Sequence, residues 1–217
     1  MPTMNPQPPH PLVLATDYRV PDPTRVWPLL QRRRDGLATI GAHHVFVYTS
    51  ITDPERVLVT IALQTREPVA KLLRSRAFFE WFDAVGVEDL PAVFAGELIE
   101  WFDFIEDPAA APPGIVVVGI MVVDDVAAFR THVREIRDSL VEAGSRRLRI
   151  FEAFDDPHEI MFMHELSDEE SAERWLRRPE VATEWFSDAG VGAYPPPFIG
   201  RFAHMMRIDA DGRDTGA

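Results

Sequence analysis

The apolar residues of this chain alternate between two spacings, and the alternation occurs twice. Short apolar runs at 12–20 and 115–123 are each followed by an aspartate, Asp22 or Asp125, that can cap a helix. Apolar residues then recur at helical spacing, most clearly Val126, Phe129, Val133, Ile136 and Leu140. Gly41 and Gly144 are placed to end those helices in the left-handed conformation. Two strands follow, "HHVFVYTS" and "RVLVTIAL", joined by Asp53-Pro54, and their counterparts "RLRIFEA" and "EIMFMHEL" are joined by Asp156-Pro157. A second amphipathic helix, over about 66–84 and about 169–188, is closed by Gly86 or Gly190, and Pro91 or Pro195 precedes a last strand. The order is β-α-β-β-α-β in each half, the split unit of ferredoxin-like folds.

The two halves align residue by residue. At an offset of 103, Leu37 meets Leu140, Val57 meets Ile160, Leu63 meets Leu166, and Leu73-Arg74 meets Leu176-Arg177. One residue is gained between 178 and 183, and at an offset of 104 the phrase "EWFDAVGV" (80–87) meets "EWFSDAGV" (184–191). The aromatic residues Trp81, Phe82, Trp185 and Phe186 in that phrase read as the face packing each helix on its sheet. The expected organisation is a disordered lead (1–11), one repeat (12–104), a Pro/Ala/Gly-rich linker (105–114), a second repeat (115–208) and a disordered tail (209–217). The strands are apolar nearly throughout, which fits burial on both faces. Two sheets covering each other, with helices outside, give the expected fold class: α+β, two tandem ferredoxin-like βαββαβ repeats forming an intramolecular dimeric α+β barrel. The chain is then a monomer with an internal pseudo-twofold, or a homodimer of such monomers.

Composition narrows the partners. Net charge is −13, which repels phosphate backbones and argues against nucleic acid. Cysteine is absent, so disulfides, thiolate metal sites and cysteine nucleophiles are excluded, and Lys71 is the only lysine able to form a Schiff base. The N-terminus has no apolar signal region, and the longest apolar run, 115–123, is about half a membrane span. The expectation is a soluble cytoplasmic protein with no membrane partner.

The stretches "SITDPERVLV", "LLRSRAFFEWFDAVGVEDLPAVF", "AFDDPHEIMFM" and "WLRRPEVATEWFSDAGVGAYPPPF" resemble the dimeric α+β barrel superfamily, including its antibiotic-biosynthesis-monooxygenase-type domains. The likeness lies in the Asp-Pro hairpin turn, the Leu-x-Ser/Arg helix segment, the Gly-Val helix stop and the Pro-x-x-Phe start of the last strand, and it covers nearly all of both repeats. It implies the barrel fold. For function it implies a range, since that superfamily holds monooxygenases, isomerases, cyclases, haem enzymes and proteins without known activity.

In such a barrel the polar side chains on strands are the first candidates for chemistry. Glu100, His164 and His204 are the candidate catalytic residues, and Tyr48, His44 and Glu152 the candidate substrate contacts. Strand parity places Glu100 and His204 at equivalent positions, where a carboxylate beside an imidazole across one cavity would make a general base. Against each stands a structural role, because strand histidines and carboxylates are commonly hydrogen-bonded or solvated. His10, His132 and His158 read as solvated, and the acidic run 167–173 as a helix start rather than a metal site. The halves differ where it matters, Ile61 standing opposite His164 and Glu100 opposite His204, so two identical sites are not expected.

No phosphate loop, zinc-type histidine pattern or nucleophile elbow is present. Metal and cofactor are therefore expected to be absent. The second helices (about 66–84 and 169–188) carry no histidine that would serve haem. The leading reading is a barrel that binds a small apolar or aromatic molecule and possesses, in the enzymatic version, monooxygenase-, cyclase- or isomerase-like proton abstraction without metal. The alternatives are a non-catalytic barrel acting through protein contacts at sheet edges or helices, and a haem-binding barrel. Whether the protein is an enzyme is not decided by the sequence. An apolar cavity reached by the polar groups would favour the first; an interior filled by side chains would favour the second.

Overall fold

The computed structural model of the chain describes residues 11–87, 89–105, 114–177 and 196–208. The second phrase (184–191), with Trp185, Phe186 and Gly190, and also Pro195, lie outside the described residues. So do most of the linker, the lead and the tail.

Eight strands are described: β1 (Leu12–Arg19), β2 (Ala42–Ser50), β3 (Arg56–Leu63), β4 (Ala92–Asp103), β5 (Ile115–Val122), β6 (Ser145–Ala153), β7 (Glu159–Leu166) and β8 (Phe198–Arg207). They close a barrel in the order β1-β3-β2-β8-β5-β7-β6-β4, every pairing antiparallel. Each half contributes four neighbouring strands, β4-β1-β3-β2 and β8-β5-β7-β6. The seams are hydrogen-bonded, β2 to β8 and β4 to β6, so the sheets do not merely face each other. Among the described residues no sheet edge is left open, which removes the free edges one sequence-based alternative relied on.

Helices cover the outside of both sheets. They are α1 (Val26–Arg32), α2 (Arg34–Thr39), α3 (Arg66–Leu73), α4 (Arg76–Val85), α5 (Val126–Glu135), α6 (Arg137–Glu142) and α7 (Glu169–Arg177). Three of the helices the periodicity drew as single are broken. Arg33 (φ −98°, ψ 12°) and Ile136 (φ −85°, ψ 8°) each interrupt the first helix of their half. Ser75 starts α4 afresh by accepting from Phe78 N at 3.3 Å. Such a break leaves the apolar stripe in place, since Val133 and Leu140 remain buried on either side of Ile136. Asp125 caps α5 through Ala128 N (2.9 Å), and Asp168 caps α7 through Ser171 N (2.7 Å). Gly41, Gly86 and Gly144 adopt φ of 77°, 84° and 87°, the left-handed stop expected of them.

Alternation of side chains along the strands yields three apolar cores. One lies between the first four strands and α1–α4 and includes Tyr18, Phe78, Phe82 and, at its margin, Trp81. A second lies beneath α5–α7 and includes Phe162 and Trp175. The third fills the barrel itself, drawing Val13, Tyr48, Leu58 and Phe94 from one half and Val118, Phe151, Met161 and Phe198 from the other.

Both last strands carry a bulge. Register shifts at Ile99 in β4 and at Ala203 in β8, two positions 104 apart in the chain. An extra residue turns the following side chains to the opposite face. Leu98 and Phe202 therefore face inward, whereas Glu100 and His204 face outward. Beyond the bulge each strand lies under the other half's helices: Phe102 and Phe104 join the second outer core, Met206 and Ile208 the first.

Candidate functional site

The barrel has two unlike ends. At the end where β2, β6 and the C-termini of β1 and β5 finish, called the lower end, the interior is plugged. Phe94 and Phe198 are each 1 % exposed, and each ring folds back over a glycine two residues on. A Cβ on Gly96 would meet the Phe94 ring at 2.7 Å and the Glu152 carbonyl at 2.3 Å; on Gly200 it would meet the Phe198 ring at 2.4 Å and the Thr49 carbonyl at 2.6 Å. Glycine at both places is what lets the rings lie across the barrel. Beside them is a cavity of about 10 Å³, lined among others by Ala15, Asp17, Ile120 and Pro196, with room for one water. Arg56 closes this end. It grips Asp17 through Nε–Oδ1 (2.9 Å) and Nη2–Oδ2 (2.6 Å), donates to the Pro196 carbonyl (2.6 Å) and stacks over Phe198.

At the upper end, where β1 and β5 begin, the inward side chains are less completely covered; this end is called the bowl. Phe46, Leu98, Met163 and Phe202 belong to the interior core yet remain half-buried. Trp101, between the outward Glu100 and Phe102, points inward and is also half-buried. His44 stacks on Phe46 at 5.9 Å, and Met205 stands at the rim, 50 % exposed. Buried beside them are Tyr48 (2 % exposed) and Glu165 (5 %). Tyr48 packs edge-on against Phe202 at 6.1 Å. Burial, then the nearby Glu165 charge, raises the Tyr48 phenol far above its ordinary value, with Arg147 opposing. Glu165 accepts from Arg147 (3.1 Å) and from Gly114 N (3.2 Å) and pairs with Arg146 (3.2 Å). Burial still lifts its carboxyl above the usual carboxylate value, outweighing those partners.

The sequence candidates are dispersed. Tyr48 and His44 face the bowl. Glu152, between the inward Phe151 and Ala153, faces outward. Glu100 is held outside by Arg130 (2.9 Å) and Arg134 of α5, and His204 stacks on Trp27 of α1 (centroids 4.8 Å, interplanar angle 13°). The expected meeting of Glu100 and His204 across a cavity therefore does not occur, because the two bulges turn both outward. His164 is fully buried in the outer core of the second half, with Nε2 2.6 Å from Ser145 Oγ and its ring edge-on to Trp175. Burial lowers its pKa to about 4, so it is neutral at physiological pH. His132 is half-buried rather than solvated. Glu165, Trp101 and Arg147 were missed. In "MHEL" only one of His164 and Glu165 can face inward, and a strand apolar on both faces gives no phase to choose by.

Among the described residues, no helix is long and apolar enough to cross a membrane, and no group of His, Asp and Glu could hold a metal ion. No family model and no curated protein matches the sequence at a significant level. Solved structures do. The fold is an α+β barrel shared with solved ferredoxin-fold structures. An anthrone oxidase-like protein shares it with a TM-score of 0.64 at 10 % identity, over 92 % of this chain and 94 % of its own. A monooxygenase-like protein from Listeria innocua aligns with a TM-score of 0.52 at 12 % identity, over 89 % and 95 %. A ferredoxin-fold protein from Listeria monocytogenes related to antibiotic biosynthesis monooxygenases gives 0.52 at 9 %, over 90 % and 96 %. At these identities the likeness is one of fold.

Proposed function

We propose that this protein binds one small apolar or aromatic molecule in the upper bowl of its barrel. The observation that carries the reading is the contrast between the ends: the lower interior is filled but for about one water, while apolar and aromatic side chains at the upper end stay half-buried beside a buried phenol and carboxylate. Apolar surface left reachable by water inside a concave site is what a ligand of that kind would cover. Tyr48 orients the ligand through its hydroxyl, and Phe46, Trp101 and Phe202 supply its apolar contacts. Should the bound molecule carry an acidic hydrogen, Glu165 is the group placed to take it, its proton affinity raised by burial. The neighbours' descriptions as oxidase-like and monooxygenase-like accord with a barrel serving small molecules.

Calorimetric titration with 1-naphthol tests the reading. One molecule is expected per chain, with binding abolished in Leu98→Trp, which fills the bowl, and weakened severalfold in Tyr48→Phe. Equal binding by wild type and Leu98→Trp would sink it. The non-catalytic alternative draws its support from the outward, structurally engaged positions of Glu100, His164 and His204. We also read the two halves as copies of one unit, supported by their common element order and by bulges 104 positions apart.

A further inference from the structure

We infer that Phe94 and Phe198 set the length of the molecule the bowl admits, acting as its specificity-determining floor. This rests on the reading of the bowl as a ligand site. The two rings come from opposite sides of the barrel, each from the lower part of a last strand, and both lie over glycines whose missing Cβ makes the room. They are among the largest fully buried side chains of the molecule, and the cavity at this end of the barrel has room for about one water. Along one wall of this end, His44 at the rim and Tyr48 stand four residues apart on one tilted strand, a rise of roughly 10 Å. Below that level, a ligand lengthening along the barrel axis meets the two rings rather than open space. The lower end is also tied shut by Arg56 on Asp17 and Pro196, so the rings cannot yield downward. The floor is consequently a pair of side chains and not backbone, which makes the length limit adjustable by substitution.

The test is a homologous series of 1-alkanols from hexanol to dodecanol, titrated calorimetrically against the full chain. In the wild type, affinity is expected to rise about threefold to fourfold per added methylene and to stop rising at about eight carbons, the chain that fills the bowl. In Phe94→Ala and in Phe198→Ala the cut-off should move out by two or more carbons. Phe94→Leu and Phe198→Leu, which keep more of the core filled, should move it by about one and serve if the alanine variants do not fold. A cut-off that stays at the wild-type length in folded variants overturns the floor assignment while leaving the bowl intact. If no alkanol of any length binds and 1-naphthol also fails, the bowl reading itself falls and this inference with it.

Discussion

At three matched positions the outer cores of the two halves differ in kind. Beneath the helices of the first half, Ala42 of β2, Ile61 of β3 and Leu72 of α3 meet as apolar side chains. At the same positions 103 residues later stand Ser145, His164 and Trp175, each able to hydrogen-bond. Ser145 and His164 satisfy one another across 2.6 Å, but among the described residues His164 Nδ1 and Trp175 Nε1 are buried without a partner. At these three positions one fold therefore accommodates two chemistries, and the polar set keeps a burden that Ala42, Ile61 and Leu72 lack. A buried polar atom without a partner costs about 1–3 kcal/mol, set against the area the larger indole and imidazole bury.

The largest effect expected from this contrast is in size. Trp175→Ala should destabilise by about 3–5 kcal/mol, the usual cost of removing a large buried aromatic, whereas Leu72→Ala, at a half-buried site, should cost clearly less. Urea unfolding midpoints of the two variants measure the difference, and equal losses would mean that the two layers carry the same load.

Acid is the next probe. The unfolded His164 titrates near 6.5 and the folded one near 4. Below pH 6.5 the unfolded chain takes up the proton first, so stability falls as pH drops from 6.5 through 4 and levels off beneath. The pKa difference corresponds to about 3 kcal/mol over that window. Unfolding free energies of wild type and His164→Ile, compared from pH 7 to pH 4, isolate this contribution from the other titrating groups. The first half has no counterpart to it, because Ile61 does not titrate.

Much of the fold was legible in the sequence. "HHVFVYTS", "RVLVTIAL", "RLRIFEA" and "EIMFMHEL" match β2, β3, β6 and β7 to within two residues at either end, since strand period and the Asp-Pro turns are local signals. The hydrogen-bonded closure of β2 on β8 and β4 on β6 joins residues more than forty positions apart and leaves no local trace. The candidate site was less legible for the same reason. Nothing in "ELIEWF" or "RFAHMM" marks a bulge, yet a single extra residue in each sent Glu100 and His204 out of the barrel and Trp101 and Met205 into it. Tyr48 and His44 were placed on the inner face because β2 from His44 to Tyr48 runs without interruption.

Converting one layer into the other is a sharper test. Ser145→Ala alone orphans His164 Nε2 and should cost about 1–3 kcal/mol. Adding His164→Ile restores the first half's Ala–Ile pair, and the double variant should recover at least the loss of the single one. A double variant less stable than Ser145→Ala would show that the imidazole is needed for more than the hydrogen bond.

The smallest effect concerns how each half clasps the other beyond its bulge. Glu100 reaches across to Arg130 and Arg134 of α5, while the matched His204 reaches across to stack on Trp27 of α1. One contact is ionic and the other aromatic, at the same place in the fold. The two arginines are 36 % and 52 % exposed, so solvent screens the ionic clasp and Glu100→Gln should cost no more than about 1 kcal/mol. Raising salt should erase even that difference, because the attraction is between charges near the surface. His204→Phe preserves a flat ring over Trp27 and should be close to neutral at any salt, whereas His204→Ala should lose about 0.5–1.5 kcal/mol that salt does not change. Unfolding midpoints at low and high salt separate the two. If Glu100→Gln and His204→Ala responded to salt alike, the clasps would share one physical origin and the contrast between the halves would stop at their outer cores.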